Sequence, residues 1–195
     1  MLEAKVQNIP KELIYEMVGG KPIYYRGYRD YLNQTKKIDE IMGSSLKQSL
    51  IITQLIILLS TKLDKKLTLL TNEIGLQFSP NSWRAADLAI VEKARMREQK
   101  NTEKYLEFAP EVVVEIDIKA SLEDLFDTYG YFHEKTDQLL DFGVKEVIWI
   151  FTKTEKIMIA KKDTPWQTFD WNRSFLIMES IDVNIQQLIN DQQGT

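Results

Sequence analysis

The stretch VVVEIDIKA, residues 112–120, alternates apolar side chains with the charged side chains of Glu115, Asp117 and Lys119. Successive side chains of a β-strand point to opposite faces, so a strand here would place these three charges in one row. Two carboxylates and an ammonium in a row are found on solvated strand faces and also in metal-dependent sites. The pattern alone leaves both interpretations open.

A further acid, Asp87, follows Ala85 and Ala86 at the start of a short apolar segment. If its strand lies in the same sheet as residues 112–120, its carboxylate could meet Glu115. Mg²⁺ takes oxygen ligands at roughly 2.0–2.1 Å and keeps several waters, so two carboxylates can suffice to bind it. A metal there would polarise a phosphodiester and generate a hydroxide nucleophile, while a lysine would orient the water.

Two registers of such a site are open. In the first, Asp117-Ile118-Lys119 is a literal D-x-K motif that pairs with Asp87. In the second, Glu115 is the second ligand, Asp117 takes the usual lysine position, and the lysine comes from elsewhere in the chain. Glu16 would approach the site only if its own segment folds over it, and Glu73 fits a solvated strand residue.

Composition limits the classes of function. The 195 residues are 44% hydrophobic and include no cysteine, which excludes disulfides, thiolate metal sites and cysteine nucleophiles. The net charge of −4 argues against a protein that coats nucleic acid nonspecifically. We see no signal peptide, and the apolar run at 50–59 is about half as long as a membrane span, so we expect a cytoplasmic protein without membrane contact.

Hydrophobic periodicity predicts an α/β (α+β) fold with a mixed sheet and a right-handed βαβ unit over residues 112–151. We expect a single domain over residues 1–195. Its predicted parts are an N-terminal hairpin and aromatic segment at 1–35, a buried helix at 46–63, an exposed loop with some helix at 92–109, further strands at 65–78, 87–91, 145–151 and 157–162, a helix that ends at Gly143, and a frayed tail at 186–195.

Five segments, in this order, resemble the motifs of a large bacterial family of putative restriction endonucleases. This former domain-of-unknown-function family has the PD-(D/E)XK restriction-endonuclease-like fold. The segments are YEMVGGKPI (15–23), Ser45 with Gln48 before the apolar helix, RAADLAIV (84–91), APEVVVEIDIKA (109–120) and KTDQLLDFGVKEVIWIF (135–151). The resemblance extends over residues 12–160.

The resemblance implies a restriction-endonuclease-like mixed central sheet, flanked by helices and preceded by a hairpin. Carried over residue by residue, it makes Asp87 and Glu115 the metal-binding carboxylates and Lys135 a candidate for the functional lysine. The chain departs from the family where Gln48 replaces a frequent histidine. It departs again where Asp117 and Lys119 replace an apolar residue and a serine.

The sequence therefore predicts an Mg²⁺- or Mn²⁺-dependent DNA endonuclease. In this prediction Asp87, Glu115 and Asp117 hold the ion, and Lys119 or Lys135 orients the attacking water. We expect DNA as the partner, and a homodimer, because two-fold copies suit cleavage of both strands. The alternative is a catalytically inactive module of the same fold that binds nucleic acid or a protein partner.

Overall fold

The computed structural model describes residues 9–122 and 128–193, and within these ranges it contains ten strands and six α-helices. The strands are β1 (Ile14–Val18), β2 (Lys21–Tyr24), β3 (Leu67–Ser79), β4 (Ser82–Glu92), β5 (Val112–Ile116), β6 (Glu146–Phe151), β7 (Lys156–Lys161), β8 (Gln167–Asp170), β9 (Phe175–Ile177) and β10 (Ile181–Val183). The helices are α1 (Tyr28–Leu32), α2 (Ile38–Met42), α3 (Leu46–Lys62), α4 (Lys93–Glu98), α5 (Thr128–Phe142) and α6 (Ile185–Gln193).

Eight of these strands form one sheet in the order β2-β1-β4-β5-β6-β7-β8, with β3 also paired to β4. β5 and β6 run parallel, while the other pairs within this sheet are antiparallel. A parallel pair needs a crossover, and α5 lies in the connection between β5 and β6. The predicted mixed sheet flanked by helices is thus confirmed, as is the N-terminal hairpin, which turns at Gly19 and Gly20 with φ of 54° and 79°.

Helices cover both faces of the central strands. On one face, Ile51 and Leu55 of α3 pack in a core cluster with Leu88 of β4 and Val114 of β5. On the other face, α5 and the β1–β2 hairpin pack against a second apolar cluster that includes Val113. Because successive strand residues alternate faces, the neighbours of Leu88 and Val114 point toward α5 and the hairpin. Asp87, next to Leu88, and Glu115, next to Val114, are two of these neighbours.

The predicted strand over residues 112–120 is wrong beyond Ile116, where β5 ends. Asp117 has a φ of 60°, in the left-handed region that aspartate tolerates better than most residues. This single backbone reversal stops the alternation. Glu115, Asp117 and Lys119 therefore do not form a row on one strand.

The predicted frayed tail at 186–195 is also wrong within the described residues. α6 covers Ile185–Gln193, and its Ile185 and Ile189 are buried in the cluster that contains α3. The spacing of four residues places both isoleucines on one face of the helix. Burial of that face stabilises the last turns of the described chain.

The segment 92–109 is more ordered than the predicted exposed loop. After α4, the backbone N–H of Leu106 donates to the Gly75 carbonyl at 2.9 Å, so the segment joins the edge of β3. Leu106 and Phe108 are buried. A side chain at Gly75 would place its Cβ 2.3 Å from Cδ1 of Tyr105, so only glycine accommodates this ring. Over the residues that the structure describes, no helix is long and apolar enough to span a membrane.

Candidate active site

Asp87 and Glu115 are neighbours across two antiparallel strands. β4 pairs with β5 in the register Leu88 to Val114, and continuing this register by one residue places Asp87 opposite Glu115. Side chains at directly opposite positions share a face, with Cβ atoms about 4.5–5.5 Å apart. Both acids are nearly inaccessible, with 4% of Asp87 and 1% of Glu115 exposed. The predicted meeting of these two carboxylates is what the strand register produces.

The carboxylate of Asp87 has a backbone partner and a lysine partner. Its Oδ2 accepts a hydrogen bond from the N–H of Ile116 at 2.8 Å, and its Oδ1 lies 2.7 Å from Nζ of Lys119. The same Nζ donates to Oε1 of Glu73 at 2.6 Å, and the Tyr25 hydroxyl donates to Oε2 of Glu73 at 2.5 Å. We call Tyr25, Glu73, Asp87 and Lys119 the outer cluster.

A β-bulge brings Glu73 to this place. The pairing of β3 with β4 passes from Thr71 opposite Leu88 to Ile74 opposite Ala86, so Asn72 and Glu73 together oppose Asp87. Both bulged residues have left-handed backbones, with φ of 69° and 53°. Such non-glycine conformations cost about 1–3 kcal/mol each and cluster at functional sites. A bulge re-aims side chains, and this one brings the Glu73 carboxylate to Nζ of Lys119.

The backbone of Lys119 is fixed on the hairpin. Its carbonyl accepts the N–H of Arg26 at 2.7 Å, and the N–H of Ser121 donates to the carbonyl of Tyr24 at 2.7 Å. Tyr25 and Ala120 form an antiparallel bridge between these two bonds. The left-handed turn at residue 117 and this bridge together direct the Lys119 side chain toward β3 and β4.

Asp117 is held by a different part of the molecule. Its Oδ1 accepts the backbone N–H of Thr152 at 2.8 Å, and its Oδ2 accepts the Thr152 hydroxyl at 2.6 Å. Its own N–H donates to the Ile150 carbonyl at 2.9 Å. Both carboxylate oxygens thus hold the turn that follows β6. The structure does not bring the Asp117 carboxylate together with those of Asp87 and Glu115 in the way the sequence predicted.

A second group of charges lies under α5. Nζ of Lys135 is 3.0 Å from Oε1 of Glu115 and 2.8 Å from Oε1 of Glu16. The other oxygen of Glu16 accepts hydrogen bonds from Arg84 Nη1 and from the Tyr131 hydroxyl, each at 2.7 Å. We call Glu16, Arg84, Glu115, Tyr131 and Lys135 the inner cluster. The hairpin therefore does fold over the site.

Aromatic rings surround the ammonium of the inner cluster. Nζ of Lys135 lies 5.4 Å from the ring centroid of Tyr15 and 5.5 Å from that of Trp149, within the range of cation–π attraction. The indole N–H of Trp149 donates to the Thr136 hydroxyl at 2.9 Å, which fixes the ring beside the ammonium. These rings exclude water while they favour the positive charge.

Burial and neighbouring charges shift the pKa values of the inner acids in opposite directions. Burial raises the pKa of Glu115 to about 8, opposed by Lys135 and reinforced by the negative charges of Asp87 and Glu16. Burial would also raise the pKa of Glu16, but the cations of Lys135 and Arg84 prevail and hold that pKa below its ordinary value. The inner cluster therefore favours the ionised form of Glu16 and brings the pKa of Glu115 close to neutral pH.

Both lysines stay charged. Burial would lower the pKa of Lys135, but Glu115 and Glu16 raise it above its ordinary value. Burial would likewise lower the pKa of Lys119, but Asp87 is the main group that raises it. Each buried or half-buried ammonium is thus matched by carboxylates.

The donor chemistry of this site fits a hard divalent cation in its composition. Asp87 and Glu115 supply carboxylate oxygens on one face, the ligand type that Mg²⁺ and Mn²⁺ prefer. Within the described residues, Glu115 Oε1 accepts no hydrogen bond, although Lys135 lies beside it. Residues 9–122 and 128–193 contain no group of three or more His, Cys, Asp or Glu side chains arranged as ligands. Lys119 instead bridges Asp87 to Glu73, and Lys135 bridges Glu115 to Glu16.

Two cavities open beside the outer cluster. One, of about 410 Å³, is lined by Thr71, Asn72, Tyr25, Glu73, Asp87 and Lys119 among others. The other, of about 440 Å³, is lined by Arg26, Gln48, Asp117 and Lys119 among others. Lys119 and Tyr25 of the outer cluster line both cavities.

Sequence reasoning named four of the side chains in the two clusters and missed others. Asp87, Glu115, Lys119 and Lys135 are all present, in two connected groups. The sequence does not predict Glu16 or Glu73 as site residues, although the charge of Glu16 within the apolar strand pattern of β1 indicates a buried partner. Gln48 of α3, a further polar residue beside the site, donates through Nε2 to the Ile116 carbonyl at 2.8 Å.

Comparison with known proteins supports the fold. No protein-family model matches the chain, and no curated protein sequence does. The chain is similar to a solved structure from Anabaena variabilis described as a putative nuclease belonging to DUF820. The TM-score is 0.64 and the identity 13%, over 90% of this chain and 89% of that one. At this identity the likeness shows a shared fold.

Proposed function

We propose that this protein is an Mg²⁺- or Mn²⁺-dependent nuclease that hydrolyses phosphodiester bonds in DNA. The observation that carries the proposal is the pair of nearly buried carboxylates, Asp87 and Glu115, on adjacent strands. A lysine side chain contacts each of the two carboxylates. The fold shared with a protein described as a nuclease supports the same reading. Asp87 and Glu115 would hold the ion.

Each residue of the site has its own role in the proposed reaction. The ion, when bound, supplies charge stabilisation and an activated water. Lys119 borders both cavities, so its ammonium is placed to balance charge on a phosphate or to orient the water. Lys135 touches Glu115 from beneath and sets the charge and position of that carboxylate. Arg26 is exposed at the second cavity, where a guanidinium would bind a phosphate of the substrate.

The electrostatics of the surface set a condition on DNA binding. With a net charge of −4, the chain must rely on local cations such as Arg26. Affinity for duplex DNA should therefore fall steeply with salt, and a flat salt response would count against phosphate contacts. We extend the proposal to a homodimer, in which two copies cleave the two strands, and analytical ultracentrifugation with and without DNA tests it.

The experiment is calorimetric titration of Mn²⁺ into the wild type, Asp87→Asn and the matched control Asp182→Asn, together with cleavage of a supercoiled plasmid. Asp182 is an exposed residue of β10. We expect one saturable site and plasmid cleavage in the wild type and in the control, and loss of both in Asp87→Asn. Circular dichroism establishes that each variant is folded. A folded wild type that binds no Mn²⁺ would overturn the proposal.

A second candidate is a catalytically inactive module of the same fold that binds nucleic acid or a protein partner. The observation in its favour is that both oxygens of Asp87 already have partners, Ile116 and Lys119. Such internal pairing is expected of a carboxylate that stabilises the fold and does not bind a ligand. A folded wild type that binds no Mn²⁺ and cleaves no DNA form would favour this candidate over the nuclease.

A further inference from the structure

Lys119 lies between two carboxylates as a bound cation would. Its Nζ is 2.7 Å from Oδ1 of Asp87 and 2.6 Å from Oε1 of Glu73. The exposed fractions are 14% for the Lys119 side chain, 26% for Glu73 and 3% for Asp87. The ammonium thus neutralises a nearly buried acid from a position that water can reach.

Glu73 is held in place independently of Lys119. The bulge that carries it interrupts the ladder between β3 and β4, with Asn72 and Glu73 both in left-handed backbone conformations. The hydroxyl of Tyr25 fixes the second oxygen of Glu73 at 2.5 Å. A plain strand would leave Asp87 without this additional acid. The bulge therefore places the carboxylate of Glu73 beside Nζ of Lys119.

The space next to the outer cluster allows the ammonium to move. The cavity of about 410 Å³ is bordered by Glu73, Asp87 and Lys119 at once. A rotation of the flexible lysine side chain can release Oδ1 of Asp87 while Nζ stays against Glu73. The charge is then retained in the site, and one oxygen of Asp87 becomes available to a metal.

We infer that Lys119 is a tethered cation that holds Asp87 in the metal-free protein and moves onto Glu73 when a divalent ion binds. Glu73 is then a positioning residue, which keeps the displaced ammonium within the site. The inference rests on the proposed metal-dependent function. It explains why the ammonium of Lys119 lies between the carboxylates of Asp87 and Glu73.

The test uses Mn²⁺ affinity measured by calorimetry, so it does not depend on turnover. Lys119→Met removes the competing ammonium, and Lys145→Met is the matched control. Lys145 pairs with Glu111 at 2.5 Å just before β6, outside both clusters. Because a charged hydrogen bond must break before Asp87 binds metal, we expect Lys119→Met to bind Mn²⁺ about tenfold more tightly than the wild type. The control should bind as the wild type does.

Glu73→Gln, alone and combined with Lys119→Met, defines the role of Glu73. If Glu73 receives the displaced ammonium, Glu73→Gln weakens Mn²⁺ binding in the wild-type background and changes it little in the Lys119→Met background. An equal loss in both backgrounds would make Glu73 a metal ligand and overturn its assigned role. This double-mutant cycle isolates the coupling between the two side chains.

The remaining outcomes separate this inference from the proposed function. Mn²⁺ binding that requires Asp87 but is not tightened by Lys119→Met would overturn the tethered cation and leave the metal site standing. Absence of Mn²⁺ binding in all folded variants would overturn both. A tightening of equal size in Lys145→Met would attribute the effect to net charge and also overturn the inference.

Discussion

The inner and outer clusters use the same chemistry in two environments. Each places a lysine between two carboxylates, at distances between 2.6 and 3.0 Å. In the inner cluster the side chains of Lys135, Glu16 and Glu115 are at most 1% exposed. In the outer cluster Lys119 is 14% exposed and borders two cavities. Burial, and not the identity of the groups, distinguishes them.

The difference in burial indicates in which cluster a lost ion-pair partner can be replaced by water or by another cation. In a dry interior, removal of one partner leaves the other without a counter-charge or water. At a partly hydrated site, water or another cation can replace the lost partner. The inner cluster is thereby a fixed support that sets the state of Glu115. The outer cluster is the part of the site that can respond to an ion or a substrate.

The largest effect should come from breaking the inner cluster. Lys135→Met removes one of the two cations that contact the buried Glu16 and the ammonium that contacts Glu115, and we expect a loss of about 3–5 kcal/mol of unfolding free energy. Urea denaturation followed by circular dichroism measures it. Lys145→Met, which removes a lysine 69% exposed, should cost about 0–1 kcal/mol. A loss below about 1 kcal/mol for Lys135→Met would contradict the fixed support.

The pH dependence of stability should reveal Glu115. Its pKa is about 8 in the folded protein against an ordinary value of 4.5. The folded state therefore binds the extra proton between these values, and metal-free stability falls as pH rises from about 5 to 8, by at most about 1.4 kcal/mol per pH unit. Glu16, with a lowered pKa, acts in the opposite sense and only at acid pH.

Urea denaturation at pH 5, 6, 7 and 8 tests this slope. Glu115→Gln removes the titrating group while it keeps the shape, so the variant should show a flatter profile than the wild type. An unchanged slope in Glu115→Gln would assign the pH dependence to other groups. Such a result would also weaken the contrast between the raised pKa of Glu115 and the lowered pKa of Glu16.

The outer cluster should tolerate loss of its lysine better. In the metal-free protein, Lys119→Met should cost about 1 kcal/mol, because Asp87 retains the Ile116 N–H and Glu73 remains hydrated. Urea denaturation beside Lys135→Met gives the comparison directly. Equal losses in the two variants would erase the distinction between the clusters.

The smallest effect on metal binding should come from Asp117. Its carboxylate is engaged by Thr152, so Asp117→Asn should change Mn²⁺ affinity by about twofold or less. Calorimetry with the variant measures this. A loss comparable to that of Asp87→Asn would restore Asp117 as a ligand and add it to the outer cluster.

Local periodicity and the family resemblance together predicted part of this site. The alternation in β5 and the short apolar segment after Asp87 predicted two acids in neighbouring strands, and the register of β4 with β5 places them opposite each other. The helix between two apolar strands predicted the parallel pair of β5 and β6. These features depend on patterns a few residues long, which the sequence displays directly.

The other features of the site depend on backbone turns and long-range contacts, which hydrophobic periodicity does not reveal. The predicted row in β5 fails at Asp117, whose left-handed φ accompanies hydrogen bonds to Thr152, 35 positions further along the chain. Glu73 reaches the site through a bulge, and Glu16 through a hairpin that packs against α5. The helix over Ile185–Gln193 was a different kind of miss, since its isoleucines at a spacing of four were visible in the sequence.

The span of the inner cluster along the chain has a consequence for biosynthesis. Glu16 and Tyr131 are separated by 115 positions, yet they share a hydrogen bond in the finished protein. At about 5–20 residues per second, a ribosome adds the intervening chain in roughly 6–23 s. The hairpin thus emerges with an acid whose partners on α5 do not yet exist. Its final docking is a late event, which falls after synthesis of the helix that covers it.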